Sequence, residues 1–319
     1  MISNMQKILF FRDYQAFSGG HLKLWHYFQH IQTTSNYDPY IYFTSHSLWN
    51  QTNPWNNLKD KILTSIQDIQ PSLLFLAGLD WEILDQLAPS FKDTVPIINL
   101  IQHVRHSHSH DPRYRFLNRK AIRICASPDV QDALQNTNQV NGPYFTIPNG
   151  MDYDNFPEPI PYEKKDISLC IAALKQAPLG IKIKAKLEKI FPTIELLTQP
   201  LARNNFLNYI NRSQITLFLP TLEEGFYIPA LEGMKLQTLV ICPDCIGNRS
   251  FCHHQYNCFR PEFKLEALLN SIHQAHSLNL KQKNTMLAHA TFTALQYNLA
   301  KEKTAFLTIL NQVPQLWNL

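Results

Sequence analysis

Two glutamates, Glu224 and Glu232, flank Pro229 in the segment PTLEEGFYIPALEGM, residues 220–234. Carboxylates accept hydrogen bonds from sugar hydroxyls. Proline suits the first helical position, where the backbone amides have no partner and, with the helix dipole, attract anions. The pattern predicts a helix starting at Pro229, with amides around residues 227–231 free to cradle a phosphate and an acid on either side. Acids beside an anion are tolerable only where they face its neutral, hydroxylated parts. A sugar and a ribose joined through a diphosphate meet that condition. On their own, the same residues also suit a solvated loop acid and a first-turn acid on the helix dipole.

Other residue groups compete for attention. Cys242, Cys245, Cys252 and Cys258, with His253 and His254 among them, could supply four soft ligands to a structural zinc. Cys242 equally ends an apolar run, where cysteine behaves as a small core residue. His103, His106, His108 and His110 are spaced for a metal or for a solvated loop. Arg105, Arg113, Arg115, Arg119, Lys120 and Arg123 would make one face positive, suited to a phosphorylated molecule or an anionic membrane surface.

These residues need a frame. Short apolar runs at residues 7–11, 40–43, 72–76, 97–101, 121–125 and 145–148 alternate with helix-period segments, the rhythm of a parallel sheet with crossover helices. Gly19 and Gly20 open the first helix, whose Leu24, Phe28 and Ile31 share a face. Helical patterns also cover residues 81–91 and the stretch after Ser127. A proline-rich stretch after Asn149 and Gly150 reads as a linker. A second alternation follows, with strands at 166–172, 193–197, 214–219 and 238–242 and helices at 180–190, 205–211, from Pro229, and at 262–278. The expectation is an α/β chain of two Rossmann-like domains across a cleft, residues 1–155 and 156–299, with a terminal helix at 300–319 crossing back to the first.

With 319 residues, of which 45% are hydrophobic and only 9 are glycine, fibrous and low-complexity classes are excluded. Six cysteines are too few for a disulfide scaffold, and no apolar run approaches the roughly 18 residues of a membrane span. A net charge of +4 is too mild for a chain that lives on nucleic acid. A cytoplasmic protein, at most peripheral at a membrane, is expected.

Residues 220–234 resemble the E-x7-E signature of retaining GT-B glycosyltransferases of the family 4 type. Residues 147–152, Ile-Pro-Asn-Gly-Met-Asp, resemble that family's interdomain turn, and Gly19-Gly20 its first-domain glycine loop. The resemblance implies a sugar transferred from a nucleotide-diphosphate donor of UDP or GDP type to a glycan, lipid-linked or polyol acceptor, without a metal or other cofactor. It implies that Glu232 holds the ribose and that Glu224 contacts the transferred sugar beside the backbone of Phe226, Tyr227 and Ile228. His103 would lie near the sugar, and Gly19 and Gly20 near the donor. Lys175 becomes the phosphate cation, with Lys182 as an alternative. The family's customary arginine falls on Ala173, and Arg249 is the candidate substitute. That departure keeps open a second reading, a sugar-nucleotide binder with little or no turnover.

Overall fold

The computed structural model describes residues 5–16 and 18–318. Its contacts divide the chain into two units. The first runs to Asn149 and takes up the chain again at Leu299, and the second spans Gly150–Asn298.

In the first unit, β1 (Gln6–Arg12) leads to α1 (Gly19–Gln32), β2 (Tyr37–Phe43), β3 (Ile62–Leu63) and β4 (Leu73–Ala77). Then follow α2 (Asp80–Leu87), α3 (Phe91–Thr94), β5 (Ile97–Ile101), β6 (Ile122–Cys125), α4 (Pro128–Gln135) and β7 (Tyr144–Thr146). Among the described residues the strands form one parallel sheet in the order β3-β2-β1-β4-β5-β6-β7. Continuous apolar runs such as Ile8–Phe11 of β1 are buried on both faces, as a sheet covered on each side by helices requires. Ile8 and Phe10 join the layer of Leu24 and Phe28, whereas Leu9 and Phe11 join that of Trp81 and Leu84. The sheet grows in opposite directions from β1 and β4, so their carboxyl ends mark the switch point where such sheets bind ligands.

The second unit holds β8 (Ile167–Ala172), α5 (Ala177–Leu187), β9 (Ile194–Leu197), α6 (Arg203–Arg212), β10 (Ser213–Phe218), α7 (Ile228–Lys235), β11 (Leu239–Ile241), α8 (Leu265–Ser277) and α9 (Leu280–Gln296). Its parallel sheet has the order β11-β10-β8-β9. Prolines explain the shift of two helix boundaries from expectation. The helix expected at 180–190 starts at Ala177 because Pro178 occupies its first turn, which leaves Gly180 inside it. The helix expected at 81–91 stops at Leu87, ahead of Pro89.

Two last helices, α10 (Leu299–Asn311) and α11 (Val313–Trp317), belong to the first unit. Phe306 of α10 packs edge-on against Tyr27 and Phe75. A buried polar cluster lies on the same seam: Glu302 pairs with Lys23 and, at 2.9 Å, with His30, and Lys23 Nζ lies 3.0 Å from His26 Nδ1. The Lys23 and Glu302 side chains are 1% and 0% exposed.

Candidate active site

Strand β10 ends at Phe218, and Leu219 and Pro220 carry the chain into the loop before α7. Gly233 lets α7 lie on that strand. A Cβ there would come within 2.8 Å of the Phe218 ring. The loop is braced from behind by the turn at Ile246–Asn248. Tyr227 N–H donates to Gly247 O at 2.8 Å, and Ile246 N–H donates to Leu222 O at 3.0 Å. A Cβ on Gly247 would stand 2.7 Å from Glu224 O and 2.8 Å from Phe226 N, so only glycine permits this backbone approach.

Glu224 accepts from the Thr221 amide at 3.2 Å, from Thr221 Oγ1 at 2.8 Å and from Lys175 Nζ at 2.5 Å. Lys175 comes from the loop after β8. Burial alone would raise the Glu224 pKa, but the Lys175 ammonium and the Thr221 donors outweigh it and hold the carboxyl below its usual range. The carboxylate is therefore ionised at neutral pH, beside a lysine that is 53% exposed. Glu232 sits one turn into α7 and is 2% exposed. Its Oε1 is ion-paired with Arg203 Nη1 at 2.6 Å. Burial raises its pKa, and Arg203 opposes the rise.

The amide nest expected at the helix start is not open. Besides the Tyr227 amide, that of Ile228 donates to Phe226 O at 3.1 Å and that of Ala230 to Tyr227 O at 3.3 Å, while Pro229 has none. Phe226 and Tyr227 are themselves buried, Phe226 against Phe251 and Tyr297. The Tyr227, Ile228 and Ala230 amides are therefore already engaged and are not free to cradle an anion.

Neither a family model nor a curated protein matches the sequence. Solved structures do match over nearly the whole chain. HepE of Anabaena, in complex with UDP, superposes with a TM-score of 0.76 and 14% identity over 96% of this chain and 100% of that one. A sucrose-phosphate synthase from Thermosynechococcus elongatus gives 0.70 and 11% over 97% and 99%. The lipopolysaccharide outer core galactosyltransferase WaaB gives 0.67 and 12% over 97% and 99%. The chain has the GT-B fold.

Within this GT-B chain, the second unit brings Lys175 onto Glu224 and places Phe226, Tyr227, Ile228 and Glu232 on one loop and helix start. Arg249 follows the Gly247 turn and is held by Asp244, with Nη2 at 2.7 Å. Lys182 is exposed on α5. Ala173, where an arginine was looked for, is wholly buried, and a Cβ on Gly180 would come within 2.4 Å of its own. That position is core, and no long side chain fits there.

Gly19, Gly20 and His103 belong to the first unit of the GT-B fold. Gly19 opens α1 onto free space, and a Cβ on Gly20 would meet Gln102 only at 3.7 Å. His103 Nδ1 accepts from the Arg105 amide at 3.0 Å, which leaves its proton on Nε2. A cluster missed in the sequence lies at the switch point: Arg12 donates from Nε to His21 Nδ1 at 2.9 Å and from Nη1 to Asp80 at 3.1 Å. Burial pushes Asp80 up to about 6 against the pull of Arg12, and pushes His21 down to about 4 with Arg12 adding to it. His21 is thus a neutral ring whose Nε2–H can donate. No short motif joins these three residues, which come from β1, α1 and α2.

Four of the six residues of the basic cluster are engaged within the unit, while Arg105 and Lys120 stay exposed. Arg113 pairs with Asp111, Arg115 with Glu82 and Arg119 with Asp85. Arg123 is wholly buried and donates to five carbonyls, those of Ala121, Asn141, Phe116, Leu117 and Arg119. These arginines build the domain. The four cysteines of the zinc reading are free and buried, with Cys242 Sγ accepting from Asn248 Nδ2 at 3.2 Å. Among the described residues no group of three or more His, Cys, Asp or Glu side chains is placed to hold a metal ion, and no helix is long and apolar enough to cross a membrane.

His106 is buried, with its pKa pushed down to about 3 by burial and then by Arg113. The folded chain keeps it neutral, while the unfolded chain protonates it below its usual value near 6.5. Stability is therefore complete above that value and falls as pH falls toward 3. From pH 7 to pH 5 this one group removes about 2 kcal/mol at 1.36 kcal/mol per unit. Urea titrations of His106→Gln at the two pH values should show the difference shrink by that amount.

Proposed function

We propose that this chain is a retaining glycosyltransferase that moves a sugar from a nucleotide-diphosphate donor, of UDP type, to a glycan, lipid-linked or polyol acceptor. The observation that carries it is the Lys175–Glu224 pair at the loop before α7, on a GT-B fold. HepE, which shares that fold, has been solved with UDP, with UDP and glucose, and with UDP-glucose.

In this reading the resting pair is a latch. An arriving diphosphate draws Lys175 off Glu224, since two phosphates outbid one carboxylate for the ammonium. Freed, Glu224 accepts from hydroxyls of the transferred sugar, and Glu232, ion-paired with Arg203 at rest, takes the ribose hydroxyls. As the bond to the leaving diphosphate breaks, Lys175 neutralises the growing charge, while Glu224 remains anionic beside a sugar that becomes cation-like. A second cation is supplied by Arg249 after it leaves Asp244. No metal takes part in this scheme. The first unit holds the acceptor, with His103 and the His21 Nε2–H at the carboxyl ends of its strands.

Calorimetry with UDP, GDP and UDP-glucose, followed by release of UDP in the presence of an acceptor panel, tests the proposal. Tight UDP binding with release of UDP and retained anomeric configuration is expected. UDP binding without turnover across the panel would favour the binding-only reading, for which the buried Ala173 speaks. No binding of either nucleotide would remove both.

A further inference from the structure

On the second unit, the end of α8, the first half of α9 and the loop at 253–259 line an open hollow of about 860 Å³. None of the residues lining it belongs to the loop before α7 or to its partners. Phe259 and Met286 form an apolar floor, 3% and 6% exposed. The rim is made of neutral hydrogen-bonding groups, among them Gln255, Gln274, Gln282 and Thr285. Lys281 is the charged member of the lining, and no carboxylate joins it among the described residues.

Tyr256 stands over this rim, 48% exposed, with one face stacked on His289 at 4.0 Å and 16°. Its loop is not slack. Gln255 takes φ +62°, a conformation that non-glycine residues seldom adopt and that costs roughly 1–3 kcal/mol. The strain is held by the Gln255 amide on Cys258 O at 2.8 Å and by the Tyr256 amide on His253 O at 3.0 Å. Beneath, the wholly buried Asn257 accepts from the His253 amide at 2.8 Å and donates to Phe251 O and Thr293 Oγ1, each at 2.9 Å. The chain thus spends backbone strain and a buried amide to present an aromatic ring to solvent. Core packing does not call for that.

An exposed aromatic face beside amides that both donate and accept, with almost no charge, matches the chemistry of a sugar ring. The C–H face of the sugar lies on the electron-rich ring, and its hydroxyls, each a donor and an acceptor, pair with the carboxamides. A phosphorylated ligand would call for clustered cations, which this rim lacks. We infer that the hollow is a binding site for a neutral oligosaccharide, with Tyr256 as the stacking platform and Gln255 and Gln274 as its hydrogen-bond partners, joined by the side-chain N–H of Gln282, whose oxygen caps α9. The site does not depend on turnover at Lys175 and Glu224, and would hold a glycan by a segment remote from any reacting end.

The test uses the full chain without nucleotide. Maltoheptaose, cellopentaose and penta-N-acetylchitopentaose are titrated by calorimetry and by saturation-transfer NMR, with inositol hexakisphosphate as an anionic comparison. At least one of the three sugars is expected to bind, with Tyr256→Ala weakening it roughly tenfold or more and Tyr256→Phe preserving it. Gln274→Ala should weaken the same sugar, and UDP affinity should stay unchanged in all three variants. The variants keep the fold because both positions are exposed. The inference fails if none of the sugars binds the parent chain, if binding survives Tyr256→Ala, or if inositol hexakisphosphate displaces the sugars from this site. A loss of UDP binding in the parent chain would overturn the donor reading and leave this one standing.

Discussion

Glu224→Gln is expected to lower the rate of sugar transfer by on the order of 100- to 1,000-fold, the usual effect of removing one preorganised group that meets charge in a transition state. Folding should hardly change. The Lys175–Glu224 pair is half exposed on the lysine side, and exposed pairs are worth about 1 kcal/mol or less. The glutamine can still accept from the Thr221 amide and hydroxyl, so the loop keeps its shape. The decisive measurement is a cycle with Lys175→Met. If the two residues act as one latch, the double variant should lose little more than the worse single one. Full additivity, or transfer within a few-fold of the parent in Glu224→Gln, would remove Glu224 from the chemistry.

A larger effect on stability is expected far from that loop. Glu302→Ala should destabilise the first unit by about 3–5 kcal/mol, because it leaves a buried ammonium without its counter-charge. Lys23 is already strained in this sense: burial lowers its pKa, and Glu302 is what opposes the shift. Removing both charges together, as Lys23→Met with Glu302→Leu, should restore most of the loss, since two packed apolar side chains carry no desolvation cost. Urea denaturation followed by fluorescence of the buried Trp55 and Trp81, both in the first unit, reads the change. If Glu302→Ala unfolds at the parent's midpoint, the buried pair contributes nothing.

What the sequence made legible follows distance along the chain. Glu224, Glu232 and Pro229 lie within one strand, loop and helix, so their place on that crossing could be read from spacing alone. Lys175 was singled out by the family resemblance, which implies a cation after the first strand of the second domain, and the structure pairs it with Glu224. By contrast, Arg203 faces Glu232 only because α6 and α7 pack on the same sheet, and no local pattern in RNNFLNYINR marks it. Arg12 meets Asp80 across 68 residues for the same reason. The arginine cluster misled because its partners Glu82 and Asp85 lie 33 and 34 residues upstream, where a charge count along a short window cannot see them. The helix start misled in a subtler way. Proline at its first turn was read correctly, but the carbonyl that occupies the Tyr227 amide comes from Gly247, on a turn that follows β11. Fold class survives such omissions because it rests on many short periodic runs. A binding site rests on a few side chains, and each missing partner alters its charge.

The return of α10 to the first unit sets an order on biosynthesis. His30 and Glu302 are separated by 272 residues, so while a ribosome is still making the second unit, the first has its sheet but not the acid that neutralises Lys23. The whole of Gly150–Asn298 is synthesised in that interval and can close on itself, helped by the pairing of Met151 with Asn298 that brings its two ends together. The nascent first unit meanwhile keeps an open apolar seam beside Tyr27 and Phe75, where Phe306 will later sit. The unit that begins first therefore matures last, and its vulnerability to chaperones, proteases and aggregation ends only when α10 arrives.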